Sequence, residues 1–318
     1  MPAQSDDVYV DAGSVSATIT SATGGGFESL AVNPAPAVTT VTDTIDVTSL
    51  TLTASAASVT EGGSITYTAT VAHAVTGSPL VVTLSNGQTI TIPVGQTTAN
   101  SAPFNVRPDD AYAQGDSTVS VSITGTTGGN FESLVPSGPA VTTVTDDADV
   151  TTVSLSATAS VAEGGSIVYT ASLNNPAATP VTITLSNGAQ ITIAAGDSTG
   201  TVSVPAPSDD VYVDAGSVSA TLTSATGGNF ESLALDATPA VTAITDTIDT
   251  TTVSLTATPS VAEGGSIVYT ASLTSPAASD VTVTLSNGAQ ITIAAGTSTG
   301  TVNVPAPSDD VYVDAGSV

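Results

Sequence analysis

The side chains able to do chemistry in this chain are almost all carboxylates, and they return at fixed intervals. An Asp-Asp pair begins at Asp6, Asp109, Asp209 and Asp309, with separations of 103, 100 and 100 residues. A Glu-Gly-Gly-Ser-Ile motif starts at Glu61, Glu163 and Glu263, and a Gly-Gly-x-Phe-Glu-Ser-Leu motif carries Phe27, Phe131 and Phe230. Within 150–249 the recurring acids are Glu163, Asp209, Asp210, Asp214, Asp246 and Asp249, each at a strand end or beside a turn. The more diverged stretch 47–149 keeps Glu61, Asp109, Asp110, Asp146 and Asp149 and moves the next acid to Asp116. The last copy supplies Glu263, Asp309, Asp310 and Asp314. Acids such as Asp197 and Asp280 do not recur and read as solvated surface.

The chemistry these acids suggest is cation binding. The 318 residues hold 28 Asp+Glu against 1 Lys+Arg, a formal charge of −27. Carboxylates gathered without basic partners repel and raise one another's pKa. A divalent cation removes that conflict, and Ca²⁺ suits it because it accepts 6–8 oxygens in flexible geometry, where Mg²⁺ demands a strict octahedron. Zinc would want His or Cys; the chain has one histidine, His73, and no cysteine. Calcium is therefore the expected ligand, with a solvated acidic surface as the alternative.

Other chemistries fare worse. A single cation, Arg107, leaves no basic patch for nucleic acid or anionic membrane. No apolar run is long enough to span a bilayer, and no secretory leader precedes the acidic stretch that follows Met1. A Ser/His/Asp triad is excluded from 150–249, which has no histidine. Paired carboxylates can serve glycosidases, but aromatics are only 3% of the chain and offer no sugar platform. An enzyme is not expected. The Gly-Gly-x-Phe-Glu segment resembles the glycine-rich calcium nonapeptide only superficially, since it occurs once per repeat; it reads as a loop. In it Phe131 and Phe230 are core anchors, with Glu132 and Glu231 exposed. Tyr169 and Tyr269 read as core residues with hydrogen-bonded tips. His73 and Arg107 occur in one copy only and read as incidental.

The elements that must position these acids are strands. Val253, Leu255 and Ala257 alternate with Thr252, Ser254 and Thr256; Ile267, Tyr269, Ala271 and Leu273 share one face of the next segment. Such period-2 patterning, rich in Val, Ile, Thr and Tyr, is the signature of a half-buried strand. Asn86-Gly87, Asn187-Gly188 and Asn287-Gly288 predict tight hairpins, with flanking residues able to lengthen the loop. About seven strands in roughly 100 residues, without a helical stripe, predict an immunoglobulin-like β-sandwich. A period of this length is that of a small independent domain rather than a solenoid unit. The expected organisation is an all-β rod of tandem sandwiches: a partial module at 1–46 (last strands), complete modules at 47–149 and 150–249, and a partial module at 250–318 (first strands). The two partial ends are complementary halves, which predicts head-to-tail pairing between chains.

The chain carries two resemblances, one in a module's ligand pattern and one, to a wider family, that covers the whole chain. Val161-Ala162-Glu163-Gly164, then Asp209-Asp210-x-x-x-Asp214 and Asp246/Asp249, resembles the calcium-binding Calx-β type of immunoglobulin-like module. That family uses an early Glu, an Asp-Asp pair, a following acid and terminal Asp residues, and the resemblance makes these positions ligands. Asp214 departs from the usual Glu, and Asp116 is displaced. The longer segments Ser160–Leu173 and Ser208–Val218 resemble the LapA-like family of giant, type I-secreted (RTX-type) biofilm adhesins. That likeness implies extender repeats on the bacterial surface, rigidified by calcium and by neighbouring modules. The alternative is a set of repeated modules that grip carbohydrate or self-associate in a cadherin-like way.

Overall fold

Alternating burial sets the architecture. In Ser166–Leu173 the side chains of Ile167, Tyr169, Ala171 and Leu173 are buried, while Ser166 and Val168 face outward. The same pattern runs through Val47–Ala54, Ala240–Thr245 and Gln190–Ile193. The computed structural model describes residues 5–309, which contain strands and no helix. The fold is all-β, built from tandem immunoglobulin-like sandwiches.

Within 150–249 one sheet runs Thr199–Pro205, Ser166–Leu173, Val150–Ala157, Ser232–Leu235. Facing strands are Ser160–Ala162, Ala240–Thr245 and Gly216–Ala220, and also Leu222–Gly227, Val181–Leu185 and Gln190–Ile193. A break at Thr221 separates Gly216–Ala220 from Leu222–Gly227; there Thr221 exchanges hydrogen bonds with Ser186. The chain switches sheets just after Val150–Ala157, and Ser160–Ala162 then pairs in parallel with Ala243–Thr245. Residues 47–145 repeat this plan, down to the parallel pairing of Ser58–Thr60 with Thr143–Thr145.

The inner faces make light cores. In 47–149 Leu50, Ile65, Tyr67, Leu80, Ile90 and Ile92 are fully buried, with Phe104 and Phe131 packed against them. Each such aliphatic side chain contributes about 1.5–3 kcal/mol by leaving water. Tyr169 is a core residue as expected, while Tyr269 is half-buried and packs against the smaller core of its copy. The hydroxyls of Tyr169 and of its counterpart Tyr67 are buried without a hydrogen-bond partner, contrary to the expected hydrogen-bonded tip. Each Asn-Gly hairpin uses the longer loop. Leu185 O accepts from Gly188 N and Leu185 N donates to Ala189 O, and of the pair only the glycine takes positive φ (Gly188, +82°). That is a three-residue hairpin loop with a left-handed glycine rather than a two-residue turn.

The first and last copies hold fewer strands among the described residues. Gly13–Ala17 pairs with Ala37–Val41. Ser266–Leu273 lies between Val253–Ala257 and Thr299–Pro305, and Val281–Thr284 pairs with Gln290–Ile293. Val253 is 45% exposed where its counterpart Val153 is fully buried. Two compact units emerge, one of Met1–Val150 with Asn229–Ser232 and the other of Thr151–Gly228 with Leu233–Val318.

Candidate metal centres

Strand ends bring the acids together. The parallel pairing of Ser160–Ala162 with Ala243–Thr245 carries on to Glu163, whose N–H donates to Thr245 O at 3.1 Å. Glu163 is thereby placed beside Asp246. The next residue, Gly164, donates to Pro207 O at 2.7 Å and so fixes the Asp209-Asp210 loop against the same corner. Gly164 takes φ +67°, and a Cβ there would sit 3.3 Å from Asp209 Cβ. The glycine allows both the left-handed backbone and the close approach.

At this corner one carboxylate oxygen each from Glu163, Asp214 and Asp246 lie within 4.8 Å of one another. Glu163 is 7% exposed; its Oε2 and Asp246 Oδ1 are buried without hydrogen-bond partners. The Glu163 carboxyl is pushed up to about 7, first by its hydrogen bond with Asp214, then by burial and by the charges of Asp214, Asp246 and Asp210. No Lys or Arg occurs in 150–249 to relieve this crowding. Orphaned, buried, all-oxygen acceptors of this kind suit a hard divalent cation.

The corresponding corner of 47–149 is built differently. Glu61 N donates to Thr145 O and Gly62 N to Arg107 O, repeating the backbone frame. Here Arg107 Nε lies 2.6 Å from Glu61 Oε2, and its Nη2 bonds Asp146. Arg107 is thus the counter-ion of two predicted ligands, not an incidental residue. Two carboxylate groups remain beside it: Glu61 with Asp147 and Glu231, and Asp109 with Asp147 and Asp149. Burial, followed by the charges of Asp109, Asp149, Glu61 and Asp146, raises the Asp147 pKa.

The other predicted ligands are distributed as follows. Asp110 and Asp210 each accept from the N–H of the tyrosine two residues on, Tyr112 and Tyr212, closing small turns. Asp209 accepts from the Thr247 hydroxyl. Asp116, Asp249 and Glu263 belong to none of these groups, and Asp309 is exposed. Asp116 directly precedes the strand Ser117–Val121, whereas Asp214 stands two residues before Gly216–Ala220, so the two carboxylates start from different places. Asp310 and Asp314 lie outside the described residues.

Sequence reasoning missed Asp147 and Glu231. Glu132 and Glu231 are half-buried rather than exposed, because the Gly-Gly-Asn-Phe-Glu loop pairs with the Asp-Asp-x-Tyr segment about 120 residues before it. Ala113 N donates to Asn229 O and Glu231 N to Ala111 O; Val10 N donates to Asn130 O and Glu132 N to Val8 O. Phe230 stacks on Tyr112 at 5.7 Å, and Phe131 lies 5.5 Å from Tyr9. Asn130 and Asn229 take positive φ to make the turn. Glu231 Oε2 then accepts from Asp149 N at 2.6 Å, and Glu132 Oε2 from Asp46 N at 2.5 Å. The recurrence of a tyrosine after the Asp-Asp pairs that begin at Asp6, Asp109, Asp209 and Asp309, and of Phe-Glu after the Gly-Gly pairs that precede Phe27, Phe131 and Phe230, was the available signal.

Fold and corners together define a class: tandem immunoglobulin-like sandwiches with carboxylate-rich ends. The chain belongs to the LapA domain family, whose model matches residues 1–44, 46–147, 149–247 and 249–318. Among solved structures it is similar to the calcium binding domain CBD12 of CALX1.1, with 11% identity, 61% of this chain and 99% of that chain covered, and a TM-score of 0.26. It is also similar to the type II cohesin dyad of the ScaA scaffoldin of Acetivibrio cellulolyticus, at 11% identity with 55% and 74% covered and a TM-score of 0.22. A third similarity is to the alpha-2-macroglobulin of E. coli, at 13% identity with 74% and 19% covered and a TM-score of 0.22. A search of curated proteins found no match.

Proposed function

We propose that the chain is a run of structural, non-catalytic spacer repeats from a bacterial cell-surface adhesin, with calcium held by the carboxylate corners of its modules, in support of attachment and biofilm formation. The observation that carries this reading is the Glu163–Asp214–Asp246 group, with two buried, unpartnered oxygens and no basic residue in its module. In the reading, 47–149 and 150–249 are the complete modules. Glu163, Asp214 and Asp246 are the main ligands, with Asp209 and Asp210 beside them. Asp249 and Asp149 lie at the linkers, where bound calcium limits flexing of one module against the next. Family membership supports the adhesin role and the surface location. Export by a type I system and head-to-tail pairing of the partial ends belong to the same proposal.

Calcium bound at such a corner supplies the positive charge that the chain lacks. The residues themselves pre-assemble the oxygens, exclude water from Glu163 and couple the corner to the sheet through the Thr245 and Pro207 carbonyls. At free calcium tenfold above Kd, one site adds about 1.4 kcal/mol, a sizeable share of a domain stability of about 5–15 kcal/mol.

The test is melting and small-angle scattering of the full chain in EDTA and in millimolar calcium. Calcium is expected to raise the melting temperature and reduce flexing. The Glu163→Gln variant should melt higher than wild type in EDTA, because an amide can donate to Asp214 and Asp246, and should gain less from calcium. Unchanged melting and scattering on chelation would refute the proposal.

A further inference from the structure

We propose that in 47–149 the Arg107 guanidinium takes the place that a cation takes at the Glu163 corner, and that this module's cation site is moved to Glu61, Asp147 and Glu231. The inference rests on the calcium reading above and deepens it. Arg107 occupies the backbone position of Pro207, since the carbonyl of each accepts from the first glycine of the Glu-Gly-Gly motif (Gly62 N at 2.9 Å, Gly164 N at 2.7 Å). Its guanidinium reaches Glu61 Oε2, Asp146 Oδ1 and Gly115 O. Asp146 Oδ2 accepts from the N–H groups of Gln114 and Gly115 at 2.8 and 2.9 Å. Both oxygens of Asp146 are therefore satisfied, whereas Asp246, its counterpart, keeps Oδ1 buried and without a partner. The Arg107 corner has no vacancy for a metal ion.

The charge that Arg107 adds is returned one step away. Asp147 stands where the other copies have Thr44 and Thr247, whose hydroxyls donate to Asp6 and Asp209. The two departures, one positive and one negative, occur in the same module. Asp147 then meets Glu61 and Glu231, with one oxygen of each within 4.8 Å of the others. Glu61 is 4% exposed. With Oε2 committed to Arg107, its Oε1 is buried without a hydrogen-bond partner, as is Glu231 Oε1. These two orphaned acceptors, on a side chain more than nine-tenths buried and on the Phe-Glu loop, mark the group as a ligand site rather than a solvated acidic surface. Asp109 and Asp149, grouped with the same Asp147, offer the further oxygens that a calcium ion needs. Because Glu231 is a ligand, the site forms only when its loop is docked on the 111–113 segment.

The experiment counts calcium bound to the full chain by equilibrium dialysis for wild type, Asp147→Thr and Arg107→Pro; each new residue is native at the matching position of another copy, 247 and 207. Asp147→Thr should bind fewer ions than wild type. Arg107→Pro should bind more, melt lower in EDTA and gain more from calcium. Glu231→Gln, on the docked loop, should repeat the loss in case Asp147→Thr fails to fold. A wild-type chain that binds no calcium would defeat the functional proposal itself. A chain that binds calcium with equal counts in all variants would overturn the displaced site alone.

Discussion

Glu163 shows how a fold can hold a side chain in a state that water would not allow. Its carboxyl is raised from 4.5 to about 7, foremost by the hydrogen bond with Asp214, which requires a proton between the two groups. A group whose folded pKa lies above its unfolded value binds its proton more tightly in the folded state. Its contribution to stability is complete below about 4.5 and is lost as pH rises through about 7. In EDTA the chain should therefore lose thermal stability across that window. Calcium requires the ionised carboxylate, so calcium binding near pH 7 should release protons, measurable by calorimetry in buffers of different ionisation enthalpy. A metal-free melting temperature that climbs from pH 4.5 to 7 would contradict this account. Glu231 is raised as well: the Asp149 N–H lowers it, but burial and the carboxylates of Glu61 and Asp147 outweigh that donor.

At the scale of elements, two short motifs do the positioning. The first glycine of Glu-Gly-Gly has positive φ in each copy, and a Cβ there would lie 2.8 Å from Asp109 Cβ at Gly62, 3.3 Å from Asp209 Cβ at Gly164 and 3.9 Å from Asp309 Cβ at Gly264. Alanine at any of the three incurs about 1–2 kcal/mol for the left-handed backbone. Gly62→Ala adds a clash, so thermal melting should rank Gly62→Ala as more damaging than Gly164→Ala. The second motif is the docking of Gly-Gly-Asn-Phe-Glu on the Tyr segment. An aromatic pair contributes about 0.5–1.5 kcal/mol beyond its buried area. Phe230→Ala should thus speed hydrogen exchange at the Ala113 and Glu231 amides while leaving those of Ser166–Leu173 protected. Equal acceleration at both places would mean that the loop is part of the core fold rather than a separate clasp. Phe27, in the equivalent loop of the first copy, is 68% exposed.

For the whole molecule the decisive quantity is the charge of −27. Self-repulsion of that size opposes the compact state and is weakened by screening. Raising monovalent salt from about 10 mM to about 150 mM shortens the Debye length from roughly 30 Å to roughly 8 Å. In EDTA this should raise the melting temperature. In millimolar calcium the same salt step should have a smaller effect, because the closest carboxylates are then neutralised. A metal-free chain indifferent to salt would show that its acids are too far apart to matter.

Much of this was legible in the amino-acid order. The period near 100, the alternation in segments such as Ser166–Leu173 and the scarcity of basic residues already pointed to an all-β repeat with candidate cation ligands, because these properties depend on neighbours along the chain. The recurrence of Glu163 with Asp246 marked both as candidates for one group. What only the tertiary structure decided was which acids meet. Glu163 reaches Asp246 through a parallel pairing of strands about 80 residues apart. Asp116 starts one residue nearer its strand than Asp214 does, and remains outside the group. Arg107, unremarkable as a single residue, becomes the counter-ion of Glu61 and Asp146, while Glu231 arrives from a loop more than 80 residues beyond Asp147. Side-chain types are local, but the distances between charges are set by sheet register and loop docking, and it is those distances that determine whether carboxylates repel, pair with an arginine or hold a metal ion.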